Sequence, residues 1–311
     1  MDAPVTSVAF FGPSGTFTEE ALLTQPDLSA AALTPRASID EVLEAVASGE
    51  VDRGFVPLEN AIEGTVNATM DGLIFGEDLY IEREVVLDIH LQLMAKPGTR
   101  LDQVTRVHSF PHALAQCRGF LASNIPQAQT VAATSTADGA RQVGENGGPH
   151  DAAIAPRLAA ALYGLDVIAD DIEDHADNQT RFVAVARNSI APPTGHDHTT
   201  IVCFQDADRP GSLYGILGQF AARDINLTNL QSRPMKLGLG QYCFVIDMEG
   251  HLADQVIGDC LRDLRSHLAE LKFLGSYPAG GDASDSVRAA VVEKRAMADD
   301  WVTALREKLI S

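Results

Sequence analysis

The sequence predicts an α/β protein of two domains: a sandwich of strands and helices, then a smaller ferredoxin-like βαββαβ unit. Three observations carry this reading. The chain has 311 residues, more than one small core accommodates and suited to two. Up to about residue 188, apolar runs of strand length alternate with amphipathic runs of helix length. Between about 199 and 277 the runs read strand, helix, strand, strand, helix, strand.

In chain order, SVAFF at 7–11 reads as a strand, and EEALLTQ after it as a helix. Residues 39–47 place apolar side chains at 39, 42, 43, 46 and 47, one face of a second helix, and Arg53-GFVPL reads as the next strand. This alternation favours a largely parallel sheet. Gly144–Asp151 reads as a surface loop, and the Pro- and Gly-rich stretch from Arg187 to Thr200 as a break between domains. The second unit follows as TTIVCFQ, GSLYGILGQFAARD, INLTNLQSRP, GQYCFVIDMEG, a helix over 253–268 and KFLGSYP. The strand GQYCFVIDM suits a sheet that faces another sheet or its own helices. After a second break at Pro278–Ser286, apolar residues at 287, 291, 301, 305 and 309 predict a tail helix. The resulting division is 1–188, a linker at 189–198, 199–277 and a tail at 278–311.

Charge narrows the function. With 43 acidic against 23 basic residues the net charge is −20 and the pI about 4.7, which argues against nucleic acid and anionic membrane as partners. No run of about eighteen apolar residues and no basic, apolar leader is present, so neither a membrane span nor export is expected. Four cysteines, Cys117, Cys203, Cys243 and Cys260, are scattered without a C-x-x-C pair, as in a reducing compartment. A cytoplasmic protein with no metal and no cofactor is expected.

Polar clusters fall where strands end. In Phe11–Leu22, the backbone N–H groups of a Gly/Pro turn could hold an anionic group, or the turn could simply lead into a capped helix. Glu59, Asn60, Glu63, Thr65 and Asn67 follow an apolar strand, and either Glu59 and Asn60 point toward a cleft or the set caps the next helix. His108–Cys117, Thr134–Thr136 and Asp177–Phe182 are further clusters, with Ser135 and Thr136 reading as helix caps. Asp170–Asp177 holds five acids and His175 without ordered ligand spacing and reads as a solvated loop, as do His196 and His198 in the linker.

Taken together, Gly12-PSGTFTEEA, Val56-PLENAIEGTVN, Ser109–Gln116, Thr134-STADGA and Asn178-QTRF closely resemble the prephenate dehydratases. Pro210-GSLYGILGQFAARDINLTNLQSRP resembles the ACT regulatory domain attached to them, so the resemblance covers about residues 5 to 277. It implies a catalytic domain of two periplasmic-binding-protein-like lobes, with parallel or mixed sheets and the site between them. The implied reaction removes the ring carboxylate of prephenate as CO2 and its ring hydroxyl as water. Donors to the dianion would be Arg181, Asn60, Gln116, Ser109 and the Gly15–Thr16 backbone. Thr180 would assist the leaving hydroxyl, Glu59 would be a proton source, and Phe182 would pack and orient its neighbours.

The first motif begins within a dozen residues of Met1, so a preceding mutase domain is not expected. Ser109-Phe110-Pro111 stands where many relatives have Ser-His-Pro, so no histidine is required there. The resemblance further implies a homodimer or homotetramer that binds L-phenylalanine through Gly211, Ser212, Leu213, Asn226, Leu227, Gln231, Ser232, Arg233 and Pro234. Gln231 replaces a glutamate common in that motif. Arogenate as substrate, or a non-catalytic amino-acid sensor, are the alternatives.

Overall fold

The computed structural model describes residues 4–205, 209–236 and 241–280, with 297, 301 and 304; the expected tail helix otherwise lies outside the described residues. The first lobe begins with β1 (Ser7–Phe11), α1 (Phe17–Leu23), α2 (Pro26–Ser29), β2 (Ala32–Arg36) and α3 (Ile39–Ser48). Ser38 caps α3 by accepting the Glu41 N–H, Gly49 ends it in the left-handed region, and Ile39, Val42, Leu43 and Val46 form its buried stripe. β3 (Arg53–Asn60), the short β4 (Gly64–Thr65), α4 (Asn67–Phe75) and β5 (Tyr80–Asp88) complete this part.

The second lobe contains β6 (Gln92–Ala95), β7 (Arg106–Ser109), α5 (Pro111–Gln116), α6 (Arg118–Asn124) and β8 (Gln129–Ala132). It ends with α7 (Thr136–Asn146), β9 (Asp151–Ala155), α8 (Arg157–Tyr163) and β10 (Asp166–Ala169). The chain then returns to the first lobe as β11 (Gln179–Ala186). Two crossing segments join the lobes, tied together by Ile89 N–H to Asn178 O at 2.8 Å and Ile172 N–H to Leu91 O at 2.9 Å.

Both sheets are mixed, as parallel or mixed sheets are expected for such lobes, although alternation alone favours parallel strands. The first runs β2-β1-β3-β11-β5, with β1 parallel to β2 and β3 but β11 antiparallel to both its neighbours. The return from the second lobe feeds β11 in from the opposite end, and side-chain alternation carries no sign of strand direction. The second sheet runs β10-β6-β9-β7-β8, parallel only around β7.

The C-terminal unit has the expected ferredoxin-like order: β12 (Asp197–Phe204), α9 (Ser212–Ala221), β13 (Leu227–Pro234), β14 (Tyr242–Glu249), α10 (Gln255–His267) and β15 (Glu270–Pro278). Its antiparallel sheet runs β13-β14-β12-β15. Ile201, Ile246 and Met248 face α9 and α10 through Ile216, Phe220, Ile257 and Leu264. On the other face Val202, Val245, Leu274 and Tyr277 share a core with Leu73 and Ile81 of the first lobe. The sheet therefore packs on its own helices and on the first lobe, whose β5 runs beside β15.

Candidate active site

The ends of β3 and β11 lie side by side, with Asn60 in register with Thr180 and Glu59 with Arg181. The register slips between Arg181 and Phe182, a β-bulge that turns Asn60 to the same face as Thr180. Asn60 Nδ2 donates to Thr180 Oγ1 and to Asn178 Oδ1, each at 2.9 Å. Asn60 Oδ1 accepts the N–H groups of Ile62 and Glu63 at 3.0 and 2.9 Å, which fixes the amide's orientation. From the second lobe, Gln116 Oε1 accepts from Asn178 Nδ2 at 3.2 Å.

These groups line a cleft of about 300 Å³ between the lobes. Phe17, Ile89, Leu91 and Phe110 supply apolar wall, and Thr136 adds a hydroxyl. The Thr180 oxygen already accepts from Asn60, and among the described residues nothing takes its proton, so its O–H can serve a ligand. Glu63 and His112 come from opposite lobes, with Oε2 and Nδ1 2.6 Å apart. The rings of Phe110 and His112 stack at 5.4 Å with an interplanar angle of 17°.

The profile of the family described as prephenate dehydratase matches residues 8–190. The chain belongs to the prephenate dehydratase family. Relatives named prephenate dehydratase from Corynebacterium glutamicum and Amycolatopsis methanolica are 38% and 41% identical, over 98% and 97% of this chain and 98% of each relative. The crystal structure of a prephenate dehydratase from Arthrobacter aurescens in complex with L-Phe is similar at a TM-score of 0.83 and 38% identity, covering 96% of this chain and 100% of that one.

In this prephenate dehydratase fold, Asn60, Gln116 and Thr180 meet at the cleft, while other expected site residues are engaged elsewhere. Arg181 points to the opposite face of β11, where Nε donates to Glu84 at 2.8 Å, Nη1 to Asp247 at 2.8 Å and Nη2 to the Tyr277 hydroxyl at 3.0 Å. Burial disfavours its charge, but Tyr277, Asp247 and Glu84 outweigh that and raise its pKa. Burial also pushes the Tyr277 phenol up, against the lowering effect of Arg181. Arg181 is therefore a strut to the ferredoxin-like unit, which corrects its expected role as a substrate donor.

Glu59 lies beside it, Oε2 3.7 Å from Arg181 Nη1, and its side chain is not part of the cleft wall that would need a proton source. Ser109 is fully buried and its hydroxyl donates to Ile154 O at 2.6 Å, so its donor is already committed. The Gly15 N–H donates to Glu19 at 2.6 Å and Thr16 accepts the Glu19 N–H, so this turn caps α1, the second of the two readings its sequence allowed. Phe182 is buried and stacks on Phe55 at 5.9 Å, so it packs and does not line the cleft.

Phe17, Glu63, Phe110, His112, Thr136 and Asn178 line the cleft without a role there expected from the sequence, although all six lie inside its motifs. Thr136 was read as a cap, but Ser135 performs that task by accepting the Asp138 N–H at 3.0 Å. His198, read as linker, lies in β12 with Nδ1 3.3 Å from Glu84. Asp171 and Glu173 of the acidic segment and His90 of the other crossing segment hold potential ligand atoms within 4.8 Å of one another. Glu173 there already accepts the Leu91 N–H at 2.8 Å and contacts His90 at 3.1 Å.

The expected effector residues fall at the start of α9 and along β13. Gly211 caps α9 at φ 88°, Ser212 donates to Arg209 O at 2.9 Å, and Leu213 is half-buried. Asn226 donates to Glu249 at 2.9 Å, and Leu227 packs on the unit's helical core. Along β13 Gln231 is half-buried, while Ser232 and Pro234 are exposed. Arg233 reaches the first lobe, where Nη1 donates to Asn67 at 2.6 Å and Nη2 pairs with Asp71, while its buried Nε finds no partner among the described residues. All four cysteines are free and buried; burial pushes Cys203 to about 12 and Cys260 to about 11, which makes them unreactive core thiols.

Proposed function

We propose that this chain converts prephenate to phenylpyruvate, and that Thr180, Asn60, Gln116 and Asn178 form the working part of its cleft. The reaction expels CO2 from one ring carbon and hydroxide from another, and the ring becomes aromatic. The departing oxygen must gain a proton or a strong hydrogen bond. The observation that carries the proposal is the 2.9 Å hydrogen bond from Asn60 to Thr180, which saturates one lone pair and leaves the O–H to point at the leaving group. A threonine hydroxyl is too weak an acid to release its proton freely, so Thr180 donates a hydrogen bond or relays a proton. Apolar residues such as Ile89 and Leu91 lower the dielectric around these dipoles and strengthen them.

The ferredoxin-like unit is read as an ACT domain that binds L-phenylalanine, as the Arthrobacter relative's complex suggests. A physical link to the cleft supports regulation. Asn229 on β13 approaches Asp247 at 3.5 Å, Asp247 holds Arg181, and Arg181 adjoins Thr180 in the chain. Effector binding that moves β13 would act on Thr180 through that contact.

A dimer or tetramer is proposed on similar grounds. One face of the C-terminal sheet is covered by helices, the other by the first lobe, and among the described residues β13 pairs only with β14. An unpaired edge flanked by exposed Leu230 and Tyr242 suits a second copy. No described helix is long and apolar enough to cross a membrane, and the thiols suit the proposed cytoplasmic location.

The test is phenylpyruvate formation from prephenate by the purified protein, with and without L-phenylalanine, beside a sedimentation measurement of its mass. Turnover suppressed by L-phenylalanine is expected. An inert protein would overturn the proposed reaction, and uninhibited turnover would overturn the regulation.

A further inference from the structure

The cleft has a charge problem. With Arg181 turned to the other face of β11, Glu63 and His112 are, among the described residues, the only ionisable side chains that line the cavity. Glu63 has the wrong sign for a dianion. Only His112 can offer a positive charge, and in the free protein its imidazole is occupied by Glu63 at 2.6 Å.

We propose that His112 is a substrate-binding residue that takes one carboxylate of the dianion, and that Glu63 is a resident carboxylate which the substrate displaces. This rests on the prephenate reading above. The geometry favours exchange over a permanent clasp. Both side chains are well exposed, 57% for His112 and 40% for Glu63, so solvent weakens their pairing.

His112 itself is well placed to receive an anion. The stack with Phe110 restricts its ring. Glu63 is carried by a turn whose backbone N–H is held by Asn60 Oδ1 at 2.9 Å, so the same asparagine orients both the displaceable carboxylate and Thr180. Substrate entry then exchanges one carboxylate for another on the same imidazole. The ion pair lost with Glu63 is replaced by one with the ligand, and the negative wall of the cleft moves aside.

The experiment compares His112→Ala, His112→Lys and Glu63→Gln with the wild-type chain, by steady-state kinetics and by equilibrium binding of prephenate in the cold. His112→Ala should raise KM by about tenfold with a much smaller fall in kcat, and His112→Lys should recover most of that loss. Glu63→Gln should lower KM by about threefold, because the competing carboxylate is gone. An unchanged KM in His112→Ala would overturn the proposal. So would a rise in KM in Glu63→Gln that parallels His112→Ala, since the pair would then be a structural clasp. Binding separates this inference from the proposed reaction: wild-type protein that binds prephenate through His112 but makes no phenylpyruvate loses the reaction and keeps the inference.

Discussion

Arg181 Nη1 and Asp247 Oδ2 lie 2.8 Å apart across the seam between the first lobe and the ferredoxin-like unit, with Asp247 almost wholly buried. Thr200 donates to the other oxygen of the same carboxylate at 2.8 Å and shares a 2.6 Å hydrogen bond with Tyr277, so the pair sits in a saturated network. Such a network holds one arrangement of the two parts and gives a poor energetic return unless every member is present.

Replacing Asp247 by Asn leaves a buried guanidinium short of one counter-charge. Loss of a partner from a buried pair costs about 3–5 kcal/mol, so the variant should unfold at clearly lower urea concentration than the wild type. Because Asp247 lies outside the cleft, phenylpyruvate formation should persist while inhibition by L-phenylalanine weakens. Normal stability together with normal inhibition would show that the seam is not held this way.

Ser109→Ala tests the reassignment of that hydroxyl. Removing its hydrogen bond to the Ile154 carbonyl should cost about 1 kcal/mol of stability and leave KM almost unchanged. A large rise in KM at full stability would return Ser109 to the substrate.

Much of the fold was legible because its signals are local. α3 has a clean apolar stripe with a serine cap, and the βαββαβ order is written in runs of strand and helix length. The site was legible in part. Two-residue alternation says that Thr180 and Arg181 face opposite ways, but not which of them meets the cleft. That choice is made by packing: Phe182 and Ala184 join the core beneath α1, while Val183 and Val185 join the seam core. Alternation alone also groups Asn60 with Val56 and Leu58, and only the bulge in β3 turns it to Thr180. The Glu63–His112 contact joins two lobes and has no sequence signature.

Gly275 marks a close approach across the seam. Its φ is +147°, and a Cβ there would overlap the backbone oxygen of Ile81. Gly275→Val should separate β15 from β5, lower the melting temperature and raise the protease sensitivity of the C-terminal unit. Unchanged melting would mean that the seam yields without cost.

Acid should weaken the same seam. Burial opposes ionisation of Asp71, but hydrogen bonds from Lys236 and Arg233, together with their charges, outweigh it and hold its pKa below the usual carboxylate value. In the second lobe, away from the seam, Asp151 is depressed likewise, with Arg106 as its chief partner against burial. The folded chain binds these protons more weakly than the unfolded chain. Their stabilisation is therefore complete above about pH 4 to 5 and is lost as pH falls through the depressed folded values. Glu20 acts in the opposite sense: burial raises its pKa, against His90 and Arg157, so it costs stability as pH rises. Urea midpoints measured at about pH 6.5 and 3.5 should therefore fall toward acid, and less steeply in Asp71→Asn than in the wild type.

The most direct test of the catalytic assignment is kcat for phenylpyruvate formation by Thr180→Ala, measured beside the wild type with melting and L-phenylalanine binding as controls. Loss of the hydroxyl that Asn60 orients should lower kcat by about 10²–10³-fold while both controls stay close to wild type. A folded Thr180→Ala protein with wild-type turnover would contradict the placement of the chemistry at this residue.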